Sequence, residues 1–212
     1  MPSSLLVKTY PVGPLDNNTY LVADQERGEA VLVDPGMESE FLVEEIRKAG
    51  YNLRSVLNTH GHFDHIFHNA LFTREFDCPL YIHEADLFLL ESLQEHAAMF
   101  GFSVSESPKP DGFLGDGQTV AVGSGEMKVL HTPGHTPGGI CLASEGFVLS
   151  GDTLFAQSIG RTDLPGGSFE SLVDSIRHQL YGLPDSTDVL PGHGPATRIG
   201  FEKKNNPFVR AD

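Results

Sequence analysis

The sequence predicts an α/β protein with a four-layer arrangement, in which two β-sheets pack face to face and helices cover their outer faces. Two observations predict this class: strand-like segments are followed by helical ones, and that order occurs twice along the 212 residues. The apolar faces of both sets of strands must be buried, and two packed sheets with helices outside achieve this. No linker or low-complexity tract divides the chain, so we expect a single domain over residues 1–212.

The first half begins with three short apolar segments, at residues 5–12, 19–23 and 30–33, which are separated by turns. This pattern predicts a three-stranded antiparallel start. Apolar residues with helical spacing over 38–49 predict a helix. A strand is predicted over 53–59, because its centre is apolar and it leads directly into a His-rich turn.

The remaining helices and strands are predicted from the same spacing of apolar residues. We expect a second helix over about 64–76, a short strand at 80–82, irregular helix over 84–100 and loop over 103–117. The second half is rich in strands again, with a helix between the last two and a partly helical tail after Pro195. The predicted elements there are strands at 118–122, 127–131, 139–143, 146–150 and 188–190, and a helix over 168–181.

Composition excludes several classes of protein. Hydrophobic residues make up 39% of the chain and charged residues 20%, which is typical of a packed core and not of disorder. The formal net charge of -15 disfavours long-range attraction to nucleic acid or to an anionic membrane. The two cysteines, Cys78 and Cys141, are interpreted as small core residues rather than a disulfide framework.

The N-terminal segment predicts no secretory leader. Residues 1–8 lack a basic region followed by a long apolar stretch, and no apolar run approaches the length of a membrane span. A cytoplasmic location is therefore the default expectation.

The most specific motif is the segment 59–65, Thr-His-Gly-His-Phe-Asp-His. Residues i and i+2 of an extended turn point the same way, so His60 and His62 can converge on one metal ion. Asp64 and His65 stand at the predicted start of a helix and can reach a second ion. Imidazole and carboxylate ligands suit Zn, Fe or Mn, and the absence of Cys ligands argues against a closed structural zinc site.

One loop cannot enclose two metal ions, so further ligands must come from other turns. Three candidates are His135, Asp152 and His193, each flanked by Gly beside a predicted strand. Asp34, which precedes Pro35-Gly36, is either a turn former or an outer hydrogen-bond partner of a metal-binding His. The remaining histidines are interpreted as ordinary residues: His68, His83, His96, His131 and His178.

Together these motifs resemble the metallo-β-lactamase-fold hydrolases over nearly the whole chain. Within them the chain is similar to the short glyoxalase II-like (hydroxyacylglutathione hydrolase-like) proteins, and the segments 158–167 and 202–208 carry that similarity. The resemblance implies an αβ/βα sandwich of two packed mixed β-sheets with the site at one edge. It also implies the ligand sets: His60, His62 and His135 for one metal, Asp64, His65 and His193 for the other, and Asp152 as a bridge between them.

The activity that the resemblance implies is hydrolysis of a small-molecule thioester such as S-lactoylglutathione by a metal-bound hydroxide. The expected cofactors are two divalent metal ions, zinc or else iron or manganese. Asp64 and Asp152 are the predicted catalytic residues, with Asp64 orienting the attacking group and accepting its proton. Arg161 is predicted to bind substrate, with an ion pair to Asp163 as the alternative.

Two differences between this sequence and members of the family limit the substrates that the resemblance implies. An Asp at the bridging position, where several true β-lactamases have Cys, weighs against β-lactam cleavage. Full-length glyoxalase II has an added C-terminal helical region whose basic residues grip glutathione. Here the basic residues after His193 are few: Arg198, Lys203, Lys204 and Arg210.

Three alternatives share the motif or the fold. An iron-dependent persulfide dioxygenase would use one iron held by His60, His135 and Asp152. A nuclease of the same superfamily would need a basic channel, which the net charge of -15 disfavours. A non-catalytic metal-binding or interaction protein would be expected to lack a ligand, and every ligand position is filled.

Overall fold

The computed structural model describes residues 5–210 and consists of two packed, mixed six-stranded β-sheets with helices on their outer faces. The predicted fold class is therefore confirmed. Residues 1–4, on which half of the leader prediction falls, lie outside the described residues, as do residues 211–212. Among the described helices, none has the length and apolar character needed to cross a membrane.

The first sheet contains its strands in chain order. Strands β1 to β3 are antiparallel, as the sequence predicts, and β3 to β6 are parallel to one another. The strands are β1 (Leu6–Val12), β2 (Asn17–Asp24), β3 (Glu29–Val33), β4 (Asn52–Leu57), β5 (Leu80–Ile82) and β6 (Gly112–Phe113).

The second sheet has the order β14-β13-β10-β9-β8-β7. Strand β9 is antiparallel to both β8 and β10, and β10 is parallel to β13, so β8, β10 and β13 all run in one direction. The strands are β7 (Thr119–Val122), β8 (Gly125–His131), β9 (Ile140–Ser144), β10 (Phe147–Gly151), β13 (Asp188–Pro191) and β14 (Thr197–Arg198).

Alternation along β3 shows how the four layers form. Val31 and Val33 are buried between the two sheets, whereas Ala30 and Leu32 are buried against the helices that cover the first sheet. The inter-sheet core continues through Val129 and Leu149 of the second sheet. Because successive residues of a strand point to opposite faces, a strand with apolar residues at every position is buried on both sides.

Helices cover the outer face of each sheet. The first sheet packs against α1 (Leu42–Ala49), α2 (Phe63–Ile66), α3 (Asn69–Phe76), α4 (Leu87–Glu91) and α5 (Leu93–Met99). The second sheet packs against α6 (Phe169–Ser175), a π-helical turn (Ile176–Leu180) and α7 (Ile199–Asn205). Cys78 and Cys141 are both buried and free, as predicted.

Several elements differ from the sequence predictions. The helix predicted over about 64–76 is two helices, because the His68 amide donates to the Pro35 carbonyl (2.9 Å) and interrupts the helical hydrogen bonds. The helix predicted over 168–181 becomes π-helical at Ile176. The predicted loop 103–117 contains β6, and a short hairpin of β11 (Leu154–Phe155) and β12 (Ser158–Ile159) was not predicted.

Two buried carboxylates join segments that are distant in sequence. Asp24, the last residue of β2, accepts hydrogen bonds from the amide (2.8 Å) and hydroxyl (2.7 Å) of Ser124, in the turn between β7 and β8. This contact connects the two sheets. Glu202 of α7 accepts hydrogen bonds from the Gln157 amide (3.0 Å), the Thr197 hydroxyl (2.6 Å) and the Asn206 side-chain amide (2.9 Å), and so holds the tail against the second half.

Candidate metal centre

The predicted site residues follow the carboxyl ends of four strands. His60, His62, Asp64 and His65 come after β4 of the first sheet. The other three follow strands of the second sheet, where β8, β10 and β13 run in the same direction and end at the same edge: His135, Asp152 and His193. The structure brings all seven side chains together, and it does so with contributions from both sheets.

Three groups of three possible ligand atoms form among residues 5–210. Two of them contain predicted ligands only, and the third consists of Asp34, His60 and His65. One group is His60, His62 and His135, and its ligand atoms lie within 4.8 Å of one another. The His62 Nδ1 and His135 Nε2 atoms are 2.8 Å apart. These three residues are the set that the resemblance assigns to one metal.

The second group is Asp64, His65 and His193, whose ligand atoms also lie within 4.8 Å of one another. His193 Nε2 is 3.1 Å from His65 Nε2 and 3.2 Å from Asp64 Oδ2. Asp152 lies between the groups: its Oδ2 is 3.4 Å from His135 Nε2, and its Oδ1 is 3.5 Å from His65 Nε2. Its position fits the bridging role that the resemblance implies.

Two buried atoms at this centre have no hydrogen-bond partner among residues 5–210. They are His60 Nε2 and Asp152 Oδ1. A buried polar atom without a partner is costly, and in native proteins such an atom usually has an ion or a water beside it. The donor set of five imidazoles and two carboxylates is also one that divalent transition metals prefer. The residues present therefore fit a binuclear metal site.

Outer hydrogen bonds fix the imidazole rings. His135 Nδ1 lies 2.7 Å from the Arg161 carbonyl oxygen, and His193 Nδ1 lies 2.9 Å from the Leu15 carbonyl oxygen. A carbonyl can only accept, so each Nδ1 carries a proton, and in the neutral form of the ring the Nε2 lone pair is directed at the centre. Such outer partners orient metal ligands.

The Asp34 carboxylate contacts the 59–65 loop and orients its imidazole rings. Its carboxylate accepts hydrogen bonds from the Thr59 amide (2.7 Å) and hydroxyl (2.6 Å), and it lies 3.0 Å from His65 Nδ1. The Thr59 oxygen, having donated to Asp34, accepts from His60 Nδ1 at 3.1 Å. Asp34 therefore has the features of both interpretations. It hydrogen-bonds a candidate metal-binding His, and it has the left-handed backbone conformation of a turn residue (φ 52°).

Asp86 is a residue that the sequence analysis missed. It is fully buried in a 3₁₀ turn before α4, and it accepts hydrogen bonds from the Gly61 amide (2.9 Å), the Thr136 hydroxyl (2.8 Å) and the Gly138 amide (2.6 Å). Asp86 thus joins the loop of His60 and His62 to the loop of His135. A Cβ on Gly138 would lie 2.7 Å from Asp86 atoms, so the close approach needs glycine.

The two ligand groups differ in their electrostatics. Burial, and then the neighbouring imidazoles, hold the pKa of His60 well below its ordinary value, and burial and His135 lower the pKa of His62 to about 3. Burial also lowers the pKa of His65, but the carboxylates of Asp64, Asp152 and Asp34 outweigh it and raise that pKa to about 10. His60 and His62 of the first group are therefore neutral imidazoles, whereas a metal ion at the second group would have to displace a proton from His65.

A cleft of about 400 Å³ opens onto the centre. Asp64 and Asp152 both line it, and each has 12% of its side chain exposed. Arg161 lines it too, with its guanidinium bound to the Asp163 carboxylate through two contacts of 2.7 and 2.8 Å. The alternative ion pair is thus present, and the substrate-binding role of Arg161 stays a prediction. The other lining residues are Leu15, His62, Phe63, Leu89, His96, Met99, Phe100, His135, Leu164, Pro165 and His193.

Comparison with known proteins gives one matching family and full-length relatives. A model of the Metallo-beta-lactamase superfamily matches residues 12–193. The chain is 37% identical to hydroxyacylglutathione hydrolase GloC of Haemophilus influenzae, over 97% of this chain and 98% of that protein.

Solved structures agree in fold. The B3 metallo-beta-lactamase BLEG-1 superposes with a TM-score of 0.89 at 35% identity, covering 97% of this chain and 100% of that one. TTHA1623 in a di-iron-bound form gives 0.88 at 39% identity, covering 96% and 100%. ETHE1 from Myxococcus xanthus gives 0.79 at 28% identity, covering 95% and 83%.

Proposed function

Because the chain belongs to the metallo-beta-lactamase superfamily, we propose that it is a metal-dependent hydrolase that cleaves thioesters, a class that includes S-lactoylglutathione. The observation that carries this proposal is the convergence of two ligand groups around Asp152, with unpartnered His60 Nε2 and Asp152 Oδ1 atoms beside an open cleft. The full-length similarity to GloC supports the choice of thioesters.

His60, His62 and His135 would hold one metal ion and Asp64, His65 and His193 the other, with Asp152 shared. Two bound ions would supply Lewis acidity, which would lower the pKa of a bound water to about 7. The donor set suits zinc, iron or manganese, and we propose zinc, with iron as the main alternative because of the di-iron structure.

Asp64 and Asp152 are the proposed catalytic residues. Asp64 Oδ2 lies beside His193 Nε2 and faces the cleft, where it can accept a proton from the attacking water and hold that water in line with the substrate. Water adds to the thioester carbonyl carbon, the carbon–sulfur bond breaks, and the products are a carboxylic acid and a thiol. A thiolate leaves readily, so a strong general acid is not required.

Substitution of two ligands tests the proposal. We expect His62→Ala and Asp152→Ala to contain fewer than two metal ions per chain and to lose more than about 100-fold in thioester hydrolysis, since even outer partners of ligands contribute 10–100-fold. The matched control is His178→Ala, an exposed histidine outside the centre, which should keep both properties. Full activity in both ligand variants would refute the assignment.

An iron-dependent persulfide dioxygenase is the second candidate, and the di-iron relative favours it because that reaction needs iron. It would use one iron at His60, His135 and Asp152. Oxygen uptake with glutathione persulfide, together with one iron per chain and no thioester hydrolysis, would support it over the hydrolase. β-Lactams belong in the same screen because of the likeness to BLEG-1.

A further inference from the structure

We infer that the natural substrate is an uncharged thioester with an apolar acyl chain, and that this chain binds on the wall formed by Phe63, Leu89, Met99 and Phe100. We call this set the α5 wall, because two of its members lie at the end of α5 and the other two pack beside it. The inference rests on the proposed thioester hydrolysis and specifies its substrate class.

The α5 wall leaves large apolar side chains in water beside the metal-binding residues. Met99 is 78% exposed and Phe100 is 58% exposed. The Phe100 ring stacks on Phe63 at a centroid distance of 4.9 Å, and Phe63 is adjacent to the ligands His62 and Asp64. An apolar ligand that covers these side chains removes their surface from water, which is favourable in proportion to the area buried.

Other residues that line the cleft are apolar as well. Leu164 and Pro165 line it and follow Arg161 closely in sequence, and Leu15 lines it near His193, whose Nδ1 donates to the Leu15 carbonyl. An acyl chain that extends from a carbonyl carbon at the metal centre therefore meets hydrocarbon from several loops, so chain length and branching determine the fit.

An unpaired Lys or Arg side chain is absent from the cleft lining that the structure describes. Arg161 is the one Lys or Arg that lines the cleft, and its charge is already paired with the Asp163 carboxylate through Nε and Nη2. Glutathione carries two carboxylates, and charge-assisted hydrogen bonds from unpaired cations are the strong way to bind them. The net charge of -15 further disfavours polyanionic thiol carriers.

The basic residues of the tail do not replace such a grip. Lys203 is bound to Asp185 at 2.6 Å, and Arg198 is bound to Asp188 at 2.8 Å. None of the four basic residues of the tail lines the cleft: Arg198, Lys203, Lys204 and Arg210. The charged arm of a glutathione thioester thus finds no unpaired Lys or Arg among the residues that line the cleft, whereas an apolar acyl chain finds a complementary wall.

A chain-length series tests the inference on the zinc-loaded protein. The substrates are thioesters of the uncharged thiol N-acetylcysteamine with straight acyl chains of two to eight carbons, compared with S-lactoylglutathione. We expect kcat/KM to rise about fourfold for each methylene that the cleft buries, and the best member of the series to exceed S-lactoylglutathione. A flat or falling series, or a preference for S-lactoylglutathione, would overturn the inference while leaving thioester hydrolysis in place.

Variants of the α5 wall give the second measurement. Met99→Ser and Phe100→Ser should flatten the chain-length dependence and leave metal content unchanged. The control is Phe208→Ser, which removes a ring of similar exposure (53%) outside the cleft and should keep the wild-type slope. A wild-type slope in both wall variants would refute the role of the wall. Failure of the metal-loaded protein to cleave any thioester would instead refute the proposed function.

Discussion

Replacement of Asp86 by Asn should weaken metal binding although Asp86 is not a ligand. Both carboxylate oxygens are in use: Oδ2 accepts from Gly61 and Thr136, and Oδ1 accepts from Gly138. Asn has one acceptor oxygen. If that oxygen takes the place of Oδ2, the new NH₂ group faces the Gly138 N–H, so one hydrogen bond is lost and two donors meet.

The magnitude follows from those contacts. A hydrogen bond to a charged group contributes about 1.5–3 kcal/mol, and a buried donor without a partner costs about 1–3 kcal/mol. The sum of these two contributions leads us to expect that Asp86→Asn lowers the free energy of unfolding of the metal-free protein by about 2.5–6 kcal/mol. Because the same contact sets the distance between the His60–His62 loop and the His135 loop, zinc affinity should fall about 10–100-fold, as for other outer partners of metal ligands.

The assay combines competition for zinc with a chromogenic chelator and urea unfolding of the metal-free protein. Glu202→Gln is a closely matched control, because Glu202 is also fully buried and also accepts three hydrogen bonds, two on Oε2 and one on Oε1. The control should lose a similar amount of stability and retain its zinc affinity. If Asp86→Asn binds zinc as tightly as the wild type while both variants are equally destabilised, Asp86 is structural and the reasoning about the loops is wrong.

Two further predictions concern stability. The amide and hydroxyl of Ser124 hold the pKa of Asp24 well below its usual range, so its contribution is present above about pH 4 and is lost as the pH falls below that value. The difference in free energy of unfolding between wild type and Asp24→Asn should therefore be full at pH 7 and shrink below pH 4 in urea titrations; a difference independent of pH would contradict this. Removal of metal by a chelator should lower Tm by about 5–10 °C for each site that was saturated at 100 times its Kd, as measured by calorimetry. An unchanged Tm after verified loss of metal would contradict the assignment of the centre.

The fold, and the side chains that the structure brings together as candidate ligands, were predictable because local sequence patterns indicate them. Strand apolarity identifies the central strands of both sheets, and a cluster such as His60 to His65 is visible within a single loop. His135, Asp152 and His193 were found because each follows a strand and is flanked by Gly. Both signals depend on neighbours in sequence.

The features that were missed depend on contacts distant in sequence. The break at His68 arises from the Pro35 carbonyl, and β6 exists because Tyr81 pairs with Gly112 in register. Asp86 is a single buried carboxylate in an irregular segment, with no pattern around it. The cue that would have helped is the pair of glycines, Gly61 and Gly138, whose amides it binds.

Both candidate metal positions draw on the first sheet, and ligands from the second sheet complete each of them. A chain in which the two halves have separated, even while each keeps its own strands and helices, would hold only fragments of a chelating site. A bound metal ion would therefore cross-link the two halves, and its retention would show that they are correctly aligned. Substitutions deep in the inter-sheet core, far from any substrate, should accordingly reveal themselves first as faster metal exchange, before secondary structure is lost.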